Sequence, residues 1–440
     1  MKFHVLDKID YVILLCVVIL SSFGIIFIYS SGINSDGILV SNEYYKQIIW
    51  FCIGAVLMFG MAIFDYRRIK RYSKYLYFII LGIFLYTKIF GRYVNGAKSW
   101  IGIGSLGIQP SEPGKIIYIL FLAYFLEQSK NSDPLKRFLK ALAIMGIPSG
   151  LILLQPDLGT ATVYIPIFIC MCFIAGIPIR YLVLVIGIGM GTIICTVLPI
   201  WQIEIARKAV PLVTILTNIK LRLIVLSAIF IIAIISSTGY VLFKKQYFYW
   251  IAFCSGIIAT SLILSIAAGK VLKPYQIQRL IVFLDPSSDP RGSGWHIIQS
   301  KIAIGSGNFW GKGFMKGTQS HYRFLPEQST DFIFSISAEE MGFLGCIILF
   351  TLFLTIFLRI IYIIKISNNL YGIFIASGIL GMYFFHFSVN VGMVMGMMPI
   401  TGIPLPFLSY GGSALLTNMM AAGLLMSIHA RKLNFDDDII

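Results

Sequence analysis

About twelve runs of roughly twenty apolar residues constrain this sequence more than any other feature. A helix needs about 20 residues to cross the hydrocarbon of a bilayer, and it satisfies its own backbone hydrogen bonds there. The predicted spans lie at 10–30, 46–65, 74–91, 113–127, 138–155, 158–176, 180–201, 221–243, 247–269, 331–361, 370–396 and 405–429. The pattern predicts an all-α, polytopic integral membrane protein with about twelve transmembrane helices.

Composition excludes several other classes of protein. Of the 440 residues, 58% are hydrophobic and 12% are charged, whereas a soluble domain averages about 25% charged residues. The net charge of +16 does not indicate nucleic-acid binding, because the basic residues lie in short loops between apolar runs. The seven cysteines all fall within apolar segments, which indicates neither a disulfide framework nor a metal site.

Basic residues in the short loops predict the orientation of the chain. The clusters are Arg67, Arg68, Lys70, Arg71 and Lys74, then Lys130, Lys136, Arg137 and Lys140, and finally Arg431 and Lys432. All of them lie on one side if both termini are cytoplasmic, as the positive-inside rule favours. The loops 92–110, 271–330 and 397–404 then face outward. Four basic residues between positions 207 and 222 fit this scheme poorly and predict an interfacial amphipathic stretch.

We expect one membrane domain over residues 1–440. Within it, 221–243 and 247–269 form a predicted transmembrane hairpin spanning 221–269. Segment 271–330 is a large predicted extracytoplasmic loop before the helix that starts near residue 331. A loop of this length is uncommon and usually functional or disordered. Its interleaved apolar residues favour an ordered lid that packs on the membrane domain.

Asp331 stands at the mouth of an apolar segment that is long enough to cross a membrane. An ionisable residue in that position marks a functional site by default. Thr330 is predicted to cap the helix that begins there. One explanation of Asp331 is that it only complements the positive helix N-terminus. Its position under the long outward loop, where a substrate would approach, favours instead a base or an orienting group.

A second group of polar residues precedes the fourth span. Ser111 is predicted to cap that helix, with Glu112 in its first turn, where an acidic side chain is favoured. Lys115 follows three residues later, so it shares a helix face with Glu112. Either the two form an ion pair that lets the helix enter the membrane, or Lys115 meets an anionic ligand such as a diphosphate while Glu112 orients it.

Three further patterns indicate polar contacts inside the membrane domain. Glu339 and Glu340 lie deep in a predicted span and require partners. His386 and Asn390 are four residues apart on one helical face, which predicts hydrogen bonds between helices. The run 398–413 is predicted to be non-helical backbone near membrane depth, which is tolerated where it lines a cavity.

Several motifs, taken together, resemble one known family. They are 95–100 (Asn-Gly-Ala-Lys-Ser-Trp), 109–112 (Gln-Pro-Ser-Glu), 155–160 (Gln-Pro-Asp-Leu-Gly-Thr), the loop 273–331, and 402–412 (Gly-Ile-Pro-Leu-Pro-Phe-Leu-Ser-Tyr-Gly-Gly). The chain resembles the SEDS family, the bacterial shape, elongation, division and sporulation proteins typified by RodA and FtsW. Segments 296–301 and 312–320 resemble the RodA branch. The chain departs from the family pattern at Pro113-Gly114, which replaces a bulkier pair, and in the hairpin 221–269, which is extra to the usual ten-helix core.

The resemblance implies an enzyme, a peptidoglycan glycosyltransferase that polymerises lipid II into glycan strands during cell elongation. The reaction would occur at the outer face of the bacterial cytoplasmic membrane, with inversion and release of undecaprenyl diphosphate. The implied partners are a class B penicillin-binding protein acting as transpeptidase, membrane proteins of the elongation complex, and membrane lipid, but no nucleic acid. Alternative functions are a lipid II transporter (flippase) and a noncatalytic scaffold of the wall-synthesis complex.

Site residues follow from the resemblance at matching positions. Asp331 matches the family's essential aspartate and is the predicted catalytic residue, taking or orienting the proton of the attacking hydroxyl. The predicted substrate-binding residues are Glu112, Lys115, Gln109, Ser111, Trp100, Arg279 and Glu327. Lys115, with Arg279 or a divalent cation such as Mg²⁺ or Mn²⁺, would offset charge on the leaving diphosphate. No organic cofactor and no metal site built from protein ligands is predicted.

Overall fold

The computed structural model describes residues 8–94, 97–103, 106–206, 208, 210–271, 274–289, 292–325 and 327–431. Arg207, Lys432, both chain termini and parts of the motifs 95–100 and 273–331 lie outside these ranges. The chain divides into two compact units. The first combines Met1–Ile177 with His296–Ile440, and the second is Pro178–Trp295.

Each of the twelve predicted spans contains a helix, which confirms the all-α membrane architecture. In chain order the helices are α1 (Tyr11–Ser31), α2 (Glu43–Ile63), α3 (Tyr66–Lys70), α4 (Ser73–Phe90), α5 (Ser111–Gln128), α6 (Pro134–Leu153), α7 (Leu158–Ile174), α8 (Ile179–Trp201), α9 (Pro211–Thr217), α10 (Ile219–Phe243), α11 (Gln246–Val271), α12 (Pro274–Leu284), α13 (Ser293–Ser306), α14 (Thr318–His321), α15 (Ile333–Ile366), α16 (Leu370–Val394) and α17 (Gly412–Ala430).

Nine helices of the described ranges are long and apolar enough to span a bilayer by themselves. The three other predicted spans are α5, α6 and α7. Helix α5 carries three charged residues, α6 begins with a basic turn, and α7 has only 17 residues. Charged side chains at membrane depth normally face the interior of a bundle, and Glu112 and Lys115 of α5 are both buried. The protein is a multi-pass membrane protein.

In the first unit, glycines let helices cross closely. A Cβ added to Gly423 of α17 would overlap the carbonyl oxygen of Met58 in α2. One added to Gly381 of α16 would lie 2.8 Å from the carbonyl oxygen of Pro166 in α7. Small residues at such crossings allow the van der Waals packing that associates helices in lipid. Helices α16 and α17 are the most buried of the nine spanning helices and form the centre of this unit.

The segment 92–110 contains the only strands among the described residues, β1 (Arg92–Val94), β2 (Ala97–Ile103) and β3 (Leu106–Ile108). They form an antiparallel sheet in the order β1-β2-β3, with Ile101 opposite Ile108. This small sheet, absent from the sequence prediction, forms because short connections join three extended stretches that exchange backbone hydrogen bonds locally.

In the second unit, α10 and α11 pack together as the predicted hairpin. Lys244 ends α10 in the left-handed conformation, at φ 50°. Arg222 is buried and donates hydrogen bonds to the carbonyl oxygen of Leu262 (3.0 Å) and to Ser265 Oγ, both on α11. The predicted interfacial stretch therefore does not include Arg222, because its guanidinium finds acceptors inside the hairpin.

The long segment 271–330 is folded, as its interleaved apolar residues predicted. It contributes α12, α13 and α14. Helix α12 belongs to the second unit, whereas most of α13 and all of α14 belong to the first. Ser300 of α13 donates a hydrogen bond to the carbonyl oxygen of Val394 (2.7 Å), and its Oγ lies 2.7 Å from that of Ser335. This part of the segment therefore packs on the ends of α15 and α16.

Candidate active site

Asp331 lies in a turn directly before α15. The helix begins at Ile333 with Phe332 at its N-cap, so the predicted Thr330 cap is wrong. Glu327, at φ 50°, starts the turn, and its carbonyl oxygen accepts the amides of Asp331 (3.2 Å) and Phe332 (3.4 Å). That turn moves the helix start by two residues. Asp331 remains partly exposed and lies close to a helix N-terminus.

Asn390 of α16 connects to the backbone of Asp331. Its Nδ2 donates to the carbonyl oxygen of Asp331 (3.1 Å) and to that of Ile403 (2.9 Å). Asn390 is fully buried. Its two amide hydrogens thus join the turn that carries Asp331 to the segment between α16 and α17.

Glu112 and Lys115 form the ion pair that their spacing predicted. Lys115 Nζ lies 2.7 Å from Glu112 Oε1, and the exposed fractions of the two side chains are 1% and 6%. Lys115 Nζ also lies 3.1 Å from His386 Nε2. A lysine ammonium has three donors, and no third acceptor for Lys115 occurs among the described residues. The structure therefore contains the predicted ion pair and also leaves one ammonium hydrogen for a ligand.

His386 belongs to α16, one helical turn before Asn390. Its Nδ1 lies 3.1 Å from the carbonyl oxygen of Pro404, which can only accept a hydrogen bond. Nδ1 must therefore carry the proton, and Nε2 of the neutral ring is an acceptor for the Lys115 ammonium. The hydrogen bond between helices predicted for His386 is thus confirmed by its contact with Lys115 of α5. Asn390 is hydrogen-bonded too, but to the carbonyl oxygens of Asp331 and Ile403, which lie outside the helices.

The first turn of α5 is held by close packing rather than by a serine cap. Helix α5 begins at Ser111 with Pro110 at the N-cap, so the predicted Ser111 cap is wrong. The carbonyl oxygen of Ser111 instead accepts a hydrogen bond from Tyr164 OH (3.4 Å). A Cβ at Gly114 would lie 2.6 Å from the ring of Phe84 and 3.1 Å from Tyr164 OH. Glycine at this departure from the family pattern lets both rings approach the helix.

Gln109 joins α5 to two other elements. Its backbone N–H donates to Ser413 Oγ on α17 (3.0 Å), and its side-chain Nε2 donates to Asp157 Oδ2 (2.6 Å). Asp157 Oδ1 accepts the amide of Thr160 (3.1 Å) and so caps α7. Gln109 therefore fixes the start of α5 relative to α7 and α17.

The remaining predicted substrate-binding residues are Trp100, Arg279 and Glu327. Trp100 lies on β2 and packs on Gly107 of β3, because a Cβ added to Gly107 would lie 2.9 Å from the Trp100 ring. Arg279 lies on α12 of the second unit, with its guanidinium 5.7 Å from the ring centre of Tyr275. Glu327 is exposed, and its Oε2 lies 3.4 Å from Thr330 Oγ1. Their predicted roles stay predictions.

The predicted span 331–361 is not one continuous helix. Gly342 has φ 64° and ψ −161°, so α15 consists of two helical parts separated by a break. The segment between α13 and α14 crosses the break. Asn308 O accepts the amide of Phe343 (2.9 Å), and Gly313 N donates to Glu340 O (3.0 Å). Backbone at membrane depth must find such partners, and no local sequence pattern identified them.

Glu339 and Glu340 lie just before this break, and both are buried. Glu339 Oε1 accepts hydrogen bonds from Lys312 Nζ (2.6 Å) and from the amides of Thr318 (2.8 Å) and Gln319 (3.2 Å). The Glu340 carboxylate accepts from Ser30 Oγ at the end of α1. The partners that these carboxylates required thus come from the segment 271–330 and from α1.

The predicted span 405–429 starts later than expected, at Gly412. Pro404 and Pro406 lack backbone N–H groups, and Phe407 has φ 65°, so the residues before Gly412 do not continue the helix. Gln47 of α2 holds this non-helical stretch by donating to the carbonyl oxygen of Ser409 (3.1 Å). The non-helical run predicted over 398–413 is therefore present as far as Gly411, and its last two residues belong to α17. The run carries the carbonyl acceptor of His386 and one of the two carbonyl acceptors of Asn390.

The residues brought together are Asp331, which is partly exposed, and Lys115, whose ammonium is buried. Asp331 and Lys115 are each connected by one hydrogen bond to neighbouring turns of α16. Among the described residues, no group of three or more His, Cys, Asp or Glu side chains could hold a metal ion.

Known proteins similar to this chain share its whole length. The family model for cell cycle proteins of the FtsW, RodA and SpoVE type matches residues 10–209 and 200–434. The peptidoglycan glycosyltransferase RodA of Treponema pallidum is 51% identical over 433 residues, which cover 98% of this chain and 100% of that protein. The peptidoglycan glycosyltransferase MrdB of Escherichia coli K12 is 32% identical, covering 97% of this chain and 95% of that protein.

A solved structure has the same fold. That structure is of a peptidoglycan synthase complex, and it is described as showing the structural coordination of polymerization and crosslinking. One of its chains matches with a TM-score of 0.68 and 25% identity, covering 97% of this chain and 99% of that chain. Together with the family match over most of the sequence, this likeness confirms the predicted resemblance. The chain belongs to the SEDS family of cell cycle proteins.

Proposed function

We propose that the protein is a peptidoglycan glycosyltransferase that polymerises lipid II into glycan strands during cell elongation. Family membership and the 51% identity to a peptidoglycan glycosyltransferase over the whole chain support the enzyme class. The observation that carries the site assignment is the arrangement on α16, which binds Lys115 through His386 and the backbone of Asp331 through Asn390. A base and a cation are the two groups that this displacement requires.

Asp331 is the proposed base. The acceptor hydroxyl oxygen forms a bond to the anomeric carbon of the donor sugar while the bond from that carbon to the diphosphate oxygen breaks. The undecaprenyl diphosphate leaves with the electron pair, and the Asp331 carboxylate takes the hydroxyl proton or orients it. One displacement inverts the configuration, as in inverting glycosidases. A separate general acid is not required, because a diphosphate is already a good leaving group.

Lys115 is the proposed cation for the leaving diphosphate. Two of its ammonium hydrogens are directed by Glu112 and His386, so the third has a fixed direction. A preorganised donor of this kind stabilises developing negative charge without reorganisation during the reaction. The divalent cation stays a prediction. Mg²⁺ is commonly held by one or two carboxylates together with substrate phosphates, and unchanged activity in the presence of a chelator would exclude it.

The basic loops support an outward-facing site with both termini in the cytoplasm. Lys70 Nζ lies 3.0 Å from Glu127 Oε1 at the end of α5, and Arg431 Nε lies 3.7 Å from Asp65 Oδ1 before α3. The basic clusters after α2, α5 and α17 therefore share one end of the first unit. Glu112 lies at the opposite end of α5, and the positive-inside rule directs that end outward.

A class B penicillin-binding protein is the proposed transpeptidase partner. The solved structure of similar fold is described as a complex that coordinates polymerization with crosslinking. Glycan strands must be crosslinked after they are made, so a polymerase of this fold is expected to work beside a transpeptidase in the cytoplasmic membrane.

The test is glycan-strand formation from lipid II by the purified protein, with and without its penicillin-binding partner. We expect polymer from the natural sequence and none from Asp331→Ala or Asp331→Asn proteins that melt at the same temperature. Polymer from the Asp331 variants at the normal rate would contradict the assignment of the base. If no polymer forms even with the partner, a transporter of the precursor or a noncatalytic scaffold would replace the proposed enzyme.

A further inference from the structure

One helix turn of α16 contacts both halves of the candidate site. His386 and Asn390 are four residues apart, which places them on one face about 6 Å apart along the axis. Both side chains are buried, and their exposed fractions are 1% and 0%. Burying two polar side chains in a membrane helix is unfavourable unless they are hydrogen-bonded. Each of the two side chains therefore requires hydrogen-bond partners inside the protein.

The partners of these two residues come from three other elements. His386 contacts the Lys115 ammonium of α5, and Asn390 contacts the carbonyl oxygen of Asp331 before α15. Their other acceptors are consecutive residues of the segment between α16 and α17, Pro404 for His386 and Ile403 for Asn390. The four hydrogen bonds therefore connect α5, α15 and that segment through one turn of α16.

We propose that His386 and Asn390 are positioning residues that hold the Lys115 ammonium and the Asp331 turn at a fixed separation for glycosyl transfer. This inference rests on the proposed function and adds two residues to its site. Neither residue needs to touch the substrate. His386 directs the cation toward the leaving group, and Asn390 fixes the turn from which the Asp331 carboxylate projects.

The chemistry of His386 suits this role in one tautomer only. The carbonyl oxygen of Pro404 requires a proton on Nδ1. Nε2 is then a lone-pair acceptor that orients Lys115 without neutralising its charge, whereas Glu112 supplies the neutralising charge. Glutamine can reproduce both functions, because its amide has one oxygen acceptor and one nitrogen donor. Leucine has a similar volume but neither function.

The chemistry of Asn390 requires donors rather than acceptors. Its Nδ2 supplies both hydrogens, one to each carbonyl oxygen. Aspartate has the same shape, but when ionised it can only accept hydrogen bonds. The Asn390→Asp change would therefore place acceptor against acceptor at Asp331 and Ile403, with nearly no change in volume.

The experiment compares His386→Gln, His386→Leu and Asn390→Asp in the lipid II polymerisation assay, with kcat and KM measured separately. The control is Ser377→Ala, also buried on α16, whose hydroxyl bonds only to Phe374 of its own helix (2.8 Å). Removing the hydrogen bond to the charged Lys115, or replacing the two bonds donated by Asn390 with contacts between acceptors, is expected to lower the rate at least about tenfold. We expect losses of that size, mainly in kcat, for His386→Leu and Asn390→Asp. His386→Gln should stay within about threefold of the natural protein, and Ser377→Ala should be unchanged.

Melting temperatures separate positioning from folding. A loss of kcat in His386→Leu that is restored in His386→Gln, at equal melting temperature, supports the proposal. Equal losses of kcat in both His386 variants would overturn it. So would kcat values for His386→Leu and Asn390→Asp that equal the kcat of Ser377→Ala. The natural protein and Asp331→Ala are assayed together with these variants. Absence of polymer from the natural protein contradicts the proposed function, whereas full activity of His386→Leu beside an active natural protein contradicts only this inference.

Discussion

Lys312 and Glu339 form an ion pair at the break in α15, with Lys312 Nζ 2.6 Å from Glu339 Oε1. Lys312 lies between α13 and α14, and Glu339 lies three residues before Gly342. The same carboxylate oxygen accepts the amides of Thr318 and Gln319 at the start of α14. This relationship connects α14 and the residues before it to α15, the helix whose first residues follow Asp331.

The two partners of this ion pair are expected to contribute unequally to stability. Glu339 is fully buried and the Lys312 side chain is 26% exposed. The Glu339→Ala change leaves an ammonium and two backbone amides without their acceptor, which is expected to lower the free energy of unfolding by about 2–4 kcal/mol. Lys312→Met leaves the carboxylate with its amide donors and is expected to cost about 1 kcal/mol. Thermal unfolding in detergent measures both, and a Lys312→Met protein that is as unstable as Glu339→Ala would contradict this account.

Gly342 is expected to tolerate no side chain. Its φ of 64° with ψ of −161° is a conformation that essentially only glycine adopts. A Cβ there would also overlap the amide nitrogen of Gly311, which crosses the break. Gly342→Ala is therefore expected to lower the yield and melting temperature of the folded protein. Gly60→Ala in α2 is the matched control, since a Cβ there meets nothing within 4 Å and alanine favours a helix. Equal melting temperatures for the two variants would show that the break is not required.

The Glu112–Lys115 pair allows structural and catalytic roles to be separated. Removing one member leaves a buried unpaired charge, so Lys115→Met is expected to destabilise the protein by about 3–5 kcal/mol. The double variant Glu112→Leu with Lys115→Met removes both charges and should recover most of that stability, because an apolar pair often replaces a buried ion pair without loss.

Activity of the double variant then decides between the two explanations left open by the sequence. If Lys115 acts on the leaving diphosphate, the double variant recovers its melting temperature but makes no glycan polymer. Recovery of both the melting temperature and polymerisation would show that the pair serves only to bring α5 into the membrane. Asp331→Asn, measured in the same assay, provides the reference for a protein that is folded and inactive.

Sequence alone predicted the features of this protein that depend on short stretches of chain. The apolar runs predicted all twelve helical spans, because crossing a bilayer requires length and hydrophobicity within one segment. The spacing of Glu112 and Lys115 predicted their ion pair, since residues three apart share a helix face. Local capping rules failed at Ser111 and Thr330, where a turn or a proline starts the helix instead.

Only the tertiary structure determined which distant groups meet. His386 contacts Lys115 across 271 positions of sequence, and the carboxylate of Glu340 contacts Ser30 across 310. The break at Gly342 was likewise hidden in an apolar run, because its backbone partners come from residues about 30 positions earlier. In a membrane interior, a polar group must be satisfied by whatever neighbouring segment packs beside it. The sequence indicated that Glu339, Glu340, His386 and Asn390 needed partners, and the packing of the helices decided which ones.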